Sequence, residues 1–222
     1  MQFIDSASAA VRAAGLHLGA DDEQTVLVCD FGGSDLTFSV VKVSLGTIEM
    51  LARECKRDIG GNFIDDKLVS HCLQKFKTAK GVDKSEDENA RRRLKQACER
   101  AKITMSKYSE ATVRLSSFSG PHDLEVKVTL DELKALTAAA LEFEPLLDRV
   151  GGSSVLSFAS MDASKINKVL LVGGSSNIPW VVDKLKKKLN SKQPSDVLSA
   201  EECVAEGAAI LAAELSPSYV TR

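Results

Sequence analysis

A chain of 222 residues, 44% hydrophobic and 27% charged with a formal net charge of -2, has room for one domain or two small ones and for a sizeable core. That balance argues against disorder and against an extended polyanion-binding surface, so nucleic acid is not an expected partner. No window approaches the ~20 apolar residues of a spanning helix, and residues 1–20 show neither an apolar signal core nor an arginine-rich transit pattern, so no membrane partner is expected either.

The five cysteines, Cys29, Cys55, Cys72, Cys98 and Cys203, lie far apart, and the three histidines, His17, His71 and His122, do not cluster with them. Neither a metal centre of the cysteine–histidine kind nor a disulfide framework is predicted. Scattered thiols inside apolar patterns suit a reducing compartment, and a cytoplasmic location is expected.

Residues 6–18 carry Ala9, Ala10, Ala13, Ala14 and Leu16, a helix-forming run that Gly19 can close. The period then changes. Thr25 to Asp30 is a continuous apolar run, and Leu36 to Val43 and Thr47 to Ala52 follow after short turns, which predicts a three-stranded antiparallel meander. Ser44-Leu45-Gly46 is short enough for a hairpin, and the first turn, Phe31 to Asp35, is built around two glycines. From Asn62 to Phe76, Ile64, Leu68 and Cys72 recur every four positions, the mark of an amphipathic helix.

A second long helix is expected from near Ser85, where Ser85 and Glu88 have capping-box spacing, with Leu94, Ala97, Ala101 and Met105 on one face and Arg91, Arg92, Arg93 and Lys95 mostly on the other. The segments Ala111 to Phe118 and Leu124 to Val128 alternate like strands around Ser119-Gly120-Pro121. A third helix starts at a Thr129–Glu132 box and is closed by Gly151-Gly152, and residues 153–165 read as a connector. Lys168 to Val172 is a buried strand, Ile178 to Leu189 a helix, and Glu202 to Glu214 another behind a Ser199–Glu202 box. The order is a strand layer, an inserted helix-and-hairpin unit, and a return, which divides the chain into 1–58 with 151–222 and an inserted subdomain over 59–150.

One echo carries chemistry. Val26 to Ser34 and Val169 to Ser175 each run an apolar strand into Gly-Gly-Ser. A strand that ends in paired glycines leaves backbone N–H groups facing outward, because glycine tolerates positive φ and permits close approach, and such a turn can cradle a phosphate. Gly32, Gly33 and Ser34 fit this, with Asp30 at the strand end able to hold magnesium through water. The plainer reading of either turn is a tight connection only. Gly173, Gly174 and Ser175 precede a helix that Pro179 helps start, so a ligand can rest at its N-terminus. Glu99, Lys102 and Ser106 share a face of the second long helix, where an i, i+3 charge pair reads by default as solvated surface.

In this combination the chain resembles the seventy-kilodalton heat-shock chaperone family, in the C-terminal half of its ATPase domain, from about Phe3 to Leu215. Five segments carry the resemblance: Asp30-Phe31-Gly32-Gly33, Ile59-Gly60-Gly61-Asn62-Phe63, Ala97 to Lys102, Val172 to Pro179, and Val204 to Ala209. It implies an α/β, ribonuclease H-like, actin-like ATPase fold in which this chain is the second lobe: a mixed sheet with helices plus an inserted α+β subdomain. It also implies ATP or ADP with magnesium as ligand. The second phosphate loop corresponds to Asp30 through Asp35, and the adenosine pocket to Gly61, Glu99, Lys102, Ser106, Gly173, Gly174, Ser175 and Asn177, with Glu201 where the family places an acidic residue near the ribose. A nucleotide exchange factor or a J-domain co-chaperone would be the protein partner, and unfolded polypeptide would be met only through domains outside this stretch.

The departures are as informative. The loop reads Asp30-Phe31-Gly32-Gly33-Ser34-Asp35-Leu36-Thr37, without the family's third glycine, threonine and final aspartate, and an Asp35 carboxylate near a γ-phosphate repels it. Ile103 and Asn177 stand where two arginines usually bracket adenine, which weakens stacking. Ser6-Ala7 stands for the usual glutamate-proline. Met1 falls where the family is in mid-domain, so a truncated piece of a longer protein is expected, without the first phosphate loop and catalytic lysine, and a lone lobe is not expected to turn over ATP. Three readings follow: a nucleotide-binding lobe of a divergent chaperone, a non-catalytic interaction module like the atypical ribosome-associated members, or part of an active chaperone ATPase that tolerates these substitutions through compensating groups in its first lobe. Arg91-Arg92-Arg93 reads as solubility or as the surface that receives an exchange factor, and the Lys184, Lys186, Lys187, Lys188 cluster as one solvated helix face.

Overall fold

The computed structural model describes residues 3–18, 22–138, 163–188 and 199–216. The chain divides into two compact units, Met1–Arg57 with Phe143–Arg222, and Asp58–Glu142.

In the first unit, β1 (Gln24–Phe31) pairs antiparallel with β2 (Leu36–Ser44), which pairs antiparallel with β3 (Thr47–Lys56). The predicted meander is present, and β3 runs four residues past the expected Ala52. The β2–β3 turn is a two-residue hairpin in which Leu45 and Gly46 both take positive φ, matching the twist of the strands. A fourth strand, β6 (Lys168–Val172), joins β1 in parallel, giving the order β3-β2-β1-β6 and a mixed sheet. Because β1 is central, it is apolar on both sides: Val26 and Val28 on one face and Leu27, Cys29 and Phe31 on the other are all buried.

Helix α1 (Ser6–Ala13) begins at Asp5, whose carboxylate accepts from the Ser8 amide at 2.9 Å and the Ser8 hydroxyl at 2.6 Å. It ends at Ala14, and Gly15, at φ 66°, turns the chain, so the stop comes earlier than the expected Gly19, which lies outside the described residues. Ala7, Ala10 and Val11 of α1 pack with Val26, Val28, Val41, Val43, Leu170 and Val172 of the sheet and with Cys203 of the last described helix. Fully burying each valine or leucine side chain of this cluster contributes about 1.5–3 kcal/mol.

That last helix runs Cys203–Glu214 and crosses α1 at backbone contact: a Cβ on Gly207 would run into the backbone of Ala9. Glu214 then ties the two helices through an ion pair with Arg12 and a 3.0 Å contact to Nε2 of His17. The expected Ser199–Glu202 capping box is not formed. Instead the amides of Glu202 and Cys203 donate to the Ser199 carbonyl, so a backbone turn starts the helix where a side chain was expected.

The second unit places α2 (Gly61–Lys80) and α3 (Glu88–Met105) with the hairpin β4 (Glu110–Ser119) and β5 (His122–Thr129) and with α4 (Leu130–Thr137). Ile64, Leu68 and Cys72 of α2 and Leu94, Ala97, Ala101 and Met105 of α3 are buried, as their spacing predicts, and Cys98 is buried with them. Phe76 meets Phe118 edge-to-face at 4.9 Å between centroids. Helix α2 continues beyond the expected Phe76 until Gly81, at φ 69°, ends it. The cap of α3 is Asp87 and not Ser85: Asp87 accepts from the Ala90 amide at 3.0 Å, while the Ser85 hydroxyl and amide are held by Asp83. The Thr129–Glu132 capping box is formed from both sides, at 3.2 and 2.8 Å. The predicted closure of this helix at Gly151-Gly152 and most of the 153–165 connector lie outside the described residues; Ala163–Lys165 forms a 3-10 turn.

After β6 comes a 3-10 turn over Gly174–Asn177 and then helix α5 (Pro179–Lys188), so the glycine pair precedes a helix that starts at Pro179, as expected. The helix over Cys203–Glu214 is α6. Among the described residues no helix is long and apolar enough to cross a membrane.

Candidate functional site: two glycine turns at one end of the sheet

Parallel pairing fixes the site. Asp30 of β1 lies opposite Val172 of β6, so the next residues of each strand leave the sheet side by side. At Gly173 the fit is obligatory: φ is 82°, and a Cβ would stand 2.5 Å from the Phe31 carbonyl oxygen and 2.9 Å from the Gly32 nitrogen. The Ser175 hydroxyl donates to the Gly32 carbonyl at 2.9 Å, joining the two turns directly. Ser176, also buried, turns its hydroxyl back onto the Gly173 carbonyl at 2.7 Å.

The two turns use their amides alike. Gly32 donates to the Asp35 carbonyl at 3.1 Å and Gly173 to the Ala200 carbonyl at 2.6 Å, so the first glycine of each pair closes structure. The amides of Gly33, Ser34, Gly174 and Ser175 have no partner among the described residues. Four unpaired donors on adjoining turns form a surface suited to an anion. The left-handed backbone expected of the first glycine pair is not found at Gly32, whose φ is not positive and whose absent Cβ faces open space; the four-residue turn closes with ordinary dihedrals.

The Gly173–Ala200 bond brings the start of α6 beside the second turn, and Glu201 arrives with it: a Cβ on Gly174 would lie 3.0 Å from Glu201 Oε1. Asn177 is exposed at the end of the 3-10 turn. Next to the first turn is a cavity of about 250 Å³ lined by Asp30, Gly32, Ser34, Asp35, Thr37 and Arg53. The field of Asp30 is felt around it. Burial first, and Asp30 second, push the thiols of Cys29 and Cys203 upward, so both are inert neutral groups at neutral pH.

In the second unit, Lys102 Nζ donates to Asp65 Oδ2 at 2.8 Å and to the Gly61 carbonyl at 3.2 Å. Lys102 is therefore not half of a solvated pair with Glu99; Glu99 is exposed, and Lys102 reaches back to α2. Asp65 is buried, its Oδ1 has no partner among the described residues, and its pKa is raised, by burial above all, with the Lys102 hydrogen bond and charge pulling against that and Glu99 adding to it. The Ser106 hydroxyl donates to the Ile103 carbonyl at 2.7 Å, and the Ile103 side chain is exposed. Arg93, expected on a solvated face, hydrogen-bonds the carbonyls of Ser116 and Ser117.

Sequence reasoning missed two residues. An aspartate at position 65, between the apolar marks Ile64 and Leu68, was the available sign of a buried partner. Arg53 had no such sign, since it extends a strand beyond its apolar part.

The architecture so far is that of an α/β protein whose mixed sheet brings two Gly-Gly-Ser turns together at one end. Comparison with known proteins supplies the family. A family model described as Hsp70 protein matches residues 1–222. The chain is 34% identical over 222 residues to the Chaperone protein DnaK of Metamycoplasma hominis, covering 97% of this chain and 36% of that protein. It is 32% identical over 216 residues to the Heat shock 70 kDa protein of Neurospora crassa, with 97% and 33% covered. The same identity is found with Heat shock 70 kDa protein 2 of Paracoccidioides lutzii, over 97% of this chain and 32% of that one. The chain belongs to the Hsp70 family, and its mixed α/β architecture agrees with the actin-like ATPase fold that membership implies. It spans about a third of the length of these relatives.

Proposed function

We propose that the chain is the second lobe of an actin-like ATPase domain in a divergent chaperone, and that its paired glycine turns bind the phosphates of ADP or ATP. The observation that carries this is the junction of the turns: strands β1 and β6 end together, and Gly33, Ser34, Gly174 and Ser175 keep unpaired amides there. Backbone N–H groups fixed by a sheet bind an anion without reorganising, which favours affinity. Glu201 beside Gly174 is the group proposed to meet the ribose hydroxyls, with Asn177 at the edge of the same turn. In the second unit, Gly61, Glu99, Lys102 and Ser106 are proposed as nucleoside contacts on the strength of the resemblance alone.

Magnesium fits as a water-bridged ion. Asp30 and Asp35 offer hard carboxylate oxygens on one cavity with the Thr37 hydroxyl, while no group of three or more His, Cys, Asp or Glu that could hold a metal directly occurs among the described residues. When bound, the ion would neutralise phosphate charge; Asp30 would hold its water shell. Calorimetric titration of the chain with magnesium and ADP tests the reading. Saturable heat is expected, and none at millimolar nucleotide contradicts it.

A second reading, a non-catalytic module that works through a J-domain or exchange-factor partner, draws on Asp35. Two carboxylates on the phosphate-side cavity oppose the charge that builds up in phosphoryl transfer. Single-turnover measurements on the longer protein separate the two: binding without magnesium-dependent hydrolysis supports the module, and brisk turnover rejects it.

A further inference from the structure

The cavity beside the first glycine turn has an acidic pair, Asp30 and Asp35, yet the proposed ligand is a polyanion. One cation shares it. Arg53 comes from β3, the edge strand, and its place follows from register: Arg53 lies opposite Ser39, which lies opposite Val28, while Asp30 and Thr37 form the next same-face row. A side chain as long as arginine reaches a diagonal neighbour about 7–8 Å away, so the guanidinium extends along the sheet face toward the turn. Among the described residues it has no ion-pair or hydrogen-bond partner, in contrast to Arg12, Arg93 and Arg114, which all do.

We propose that Arg53 is a phosphate-binding residue of this site, its guanidinium taking two oxygens of the outermost phosphate and selecting polyphosphates over adenosine or a monophosphate. The proposal rests on the nucleotide reading above. The chemistry is that of the planar fork: two parallel N–H donors match two phosphate oxygens, and arginine stays charged at every relevant pH. It also answers the Asp35 problem. Arg53 brings a positive charge to a cavity wall that also carries Asp30 and Asp35, so a phosphate entering there meets a cation beside the carboxylates. The unpaired amides of Gly33 and Ser34, next to the same cavity, provide neutral donors to the remaining oxygens.

The test is calorimetric titration of the chain, and of Arg53→Gln, Arg53→Lys and Arg57→Gln, with adenosine, with magnesium-ADP and with magnesium-tripolyphosphate. Arg57 is exposed and does not line the cavity, so its variant controls for loss of charge alone. Arg53→Gln is expected to weaken ADP and tripolyphosphate by about tenfold or more and to leave adenosine unchanged. Arg53→Lys should fall between, keeping charge without the fork, and Arg57→Gln should match the parent; thermal melting verifies that all four chains fold. Equal affinity of parent and Arg53→Gln for both phosphate ligands overturns the proposal, as does a loss that extends equally to adenosine. Arg53-dependent binding of tripolyphosphate with no adenosine or nucleotide preference would sink the nucleotide reading and keep the phosphate role of Arg53. Binding of none of the three by the parent chain sinks both.

Discussion

The glycine turns of the first unit leave backbone donors without partners among the described residues, whereas in the helix pair of the second unit the side chains of Lys102 and Ser106 already hold partners. At Gly32 and Gly173 the amide of the first glycine of each pair is bonded, and the next two amides have no partner among the described residues. Between α2 and α3, Lys102 is committed to Asp65 and the Gly61 carbonyl, and Ser106 to the Ile103 carbonyl. Open donors on a rigid frame are prepared for a ligand; satisfied side chains must exchange a partner to reach one, which costs affinity. The turns themselves also differ. The second is wedged against the end of β1, and the first stands over open space.

The wedge can be broken most severely at Gly173. Gly173→Ala would place a methyl against the Phe31 carbonyl in a backbone region alanine avoids, and a loss of about 3 kcal/mol or more in urea unfolding is expected. In the second unit, Asp65→Ala leaves Lys102 largely buried beside a vacated partner, and about 2 kcal/mol should be lost. Ser175→Ala removes the bond between the turns and should cost about 1 kcal/mol, with a larger effect on nucleotide affinity than on melting.

Asp65 also gives the helix pair a pH signature. Its pKa is raised in the folded chain, so the folded form holds the proton to higher pH than the unfolded form does. Its contribution to stability therefore falls as pH rises through the window from the ordinary aspartate value to the raised one, and is level outside that window. Unfolding midpoints of the parent measured relative to Asp65→Asn should decline across it; a rise with pH would mean that Lys102 dominates over burial. The smallest effect is expected at Gly32. Gly32→Ala meets nothing within 4 Å and needs no unusual φ, so stability should stay within about 0.5 kcal/mol. A large loss there would erase the contrast between the two turns.

Legibility in the sequence followed the locality of the signal. The apolar run 168–172, the Leu45-Gly46 hairpin and the Thr129–Glu132 box each depend on neighbouring residues only, and each is present. Errors came where several residues competed for one job. Asp87 won the cap of α3 because Asp83 already held Ser85, and Gly15 ended α1 before Gly19 could. The echo of two Gly-Gly-Ser turns was readable, but their meeting depends on parallel pairing of positions 142 residues apart, seen only in the register of Asp30 with Val172. Asp65 carried only its place between Ile64 and Leu68 as a sign, and Arg53 none, because the burial of one and the cavity around the other are made by partner strands and helices, not by their own segments.

The most direct test is to follow backbone amide resonances while magnesium-ADP is added to the chain. Gly33, Ser34, Gly174 and Ser175 should shift together along one binding curve, with Gly32 and Gly173 moving less because their N–H groups are already bonded. Movement confined to one of the two turns, or none at saturating nucleotide, would contradict a shared phosphate site.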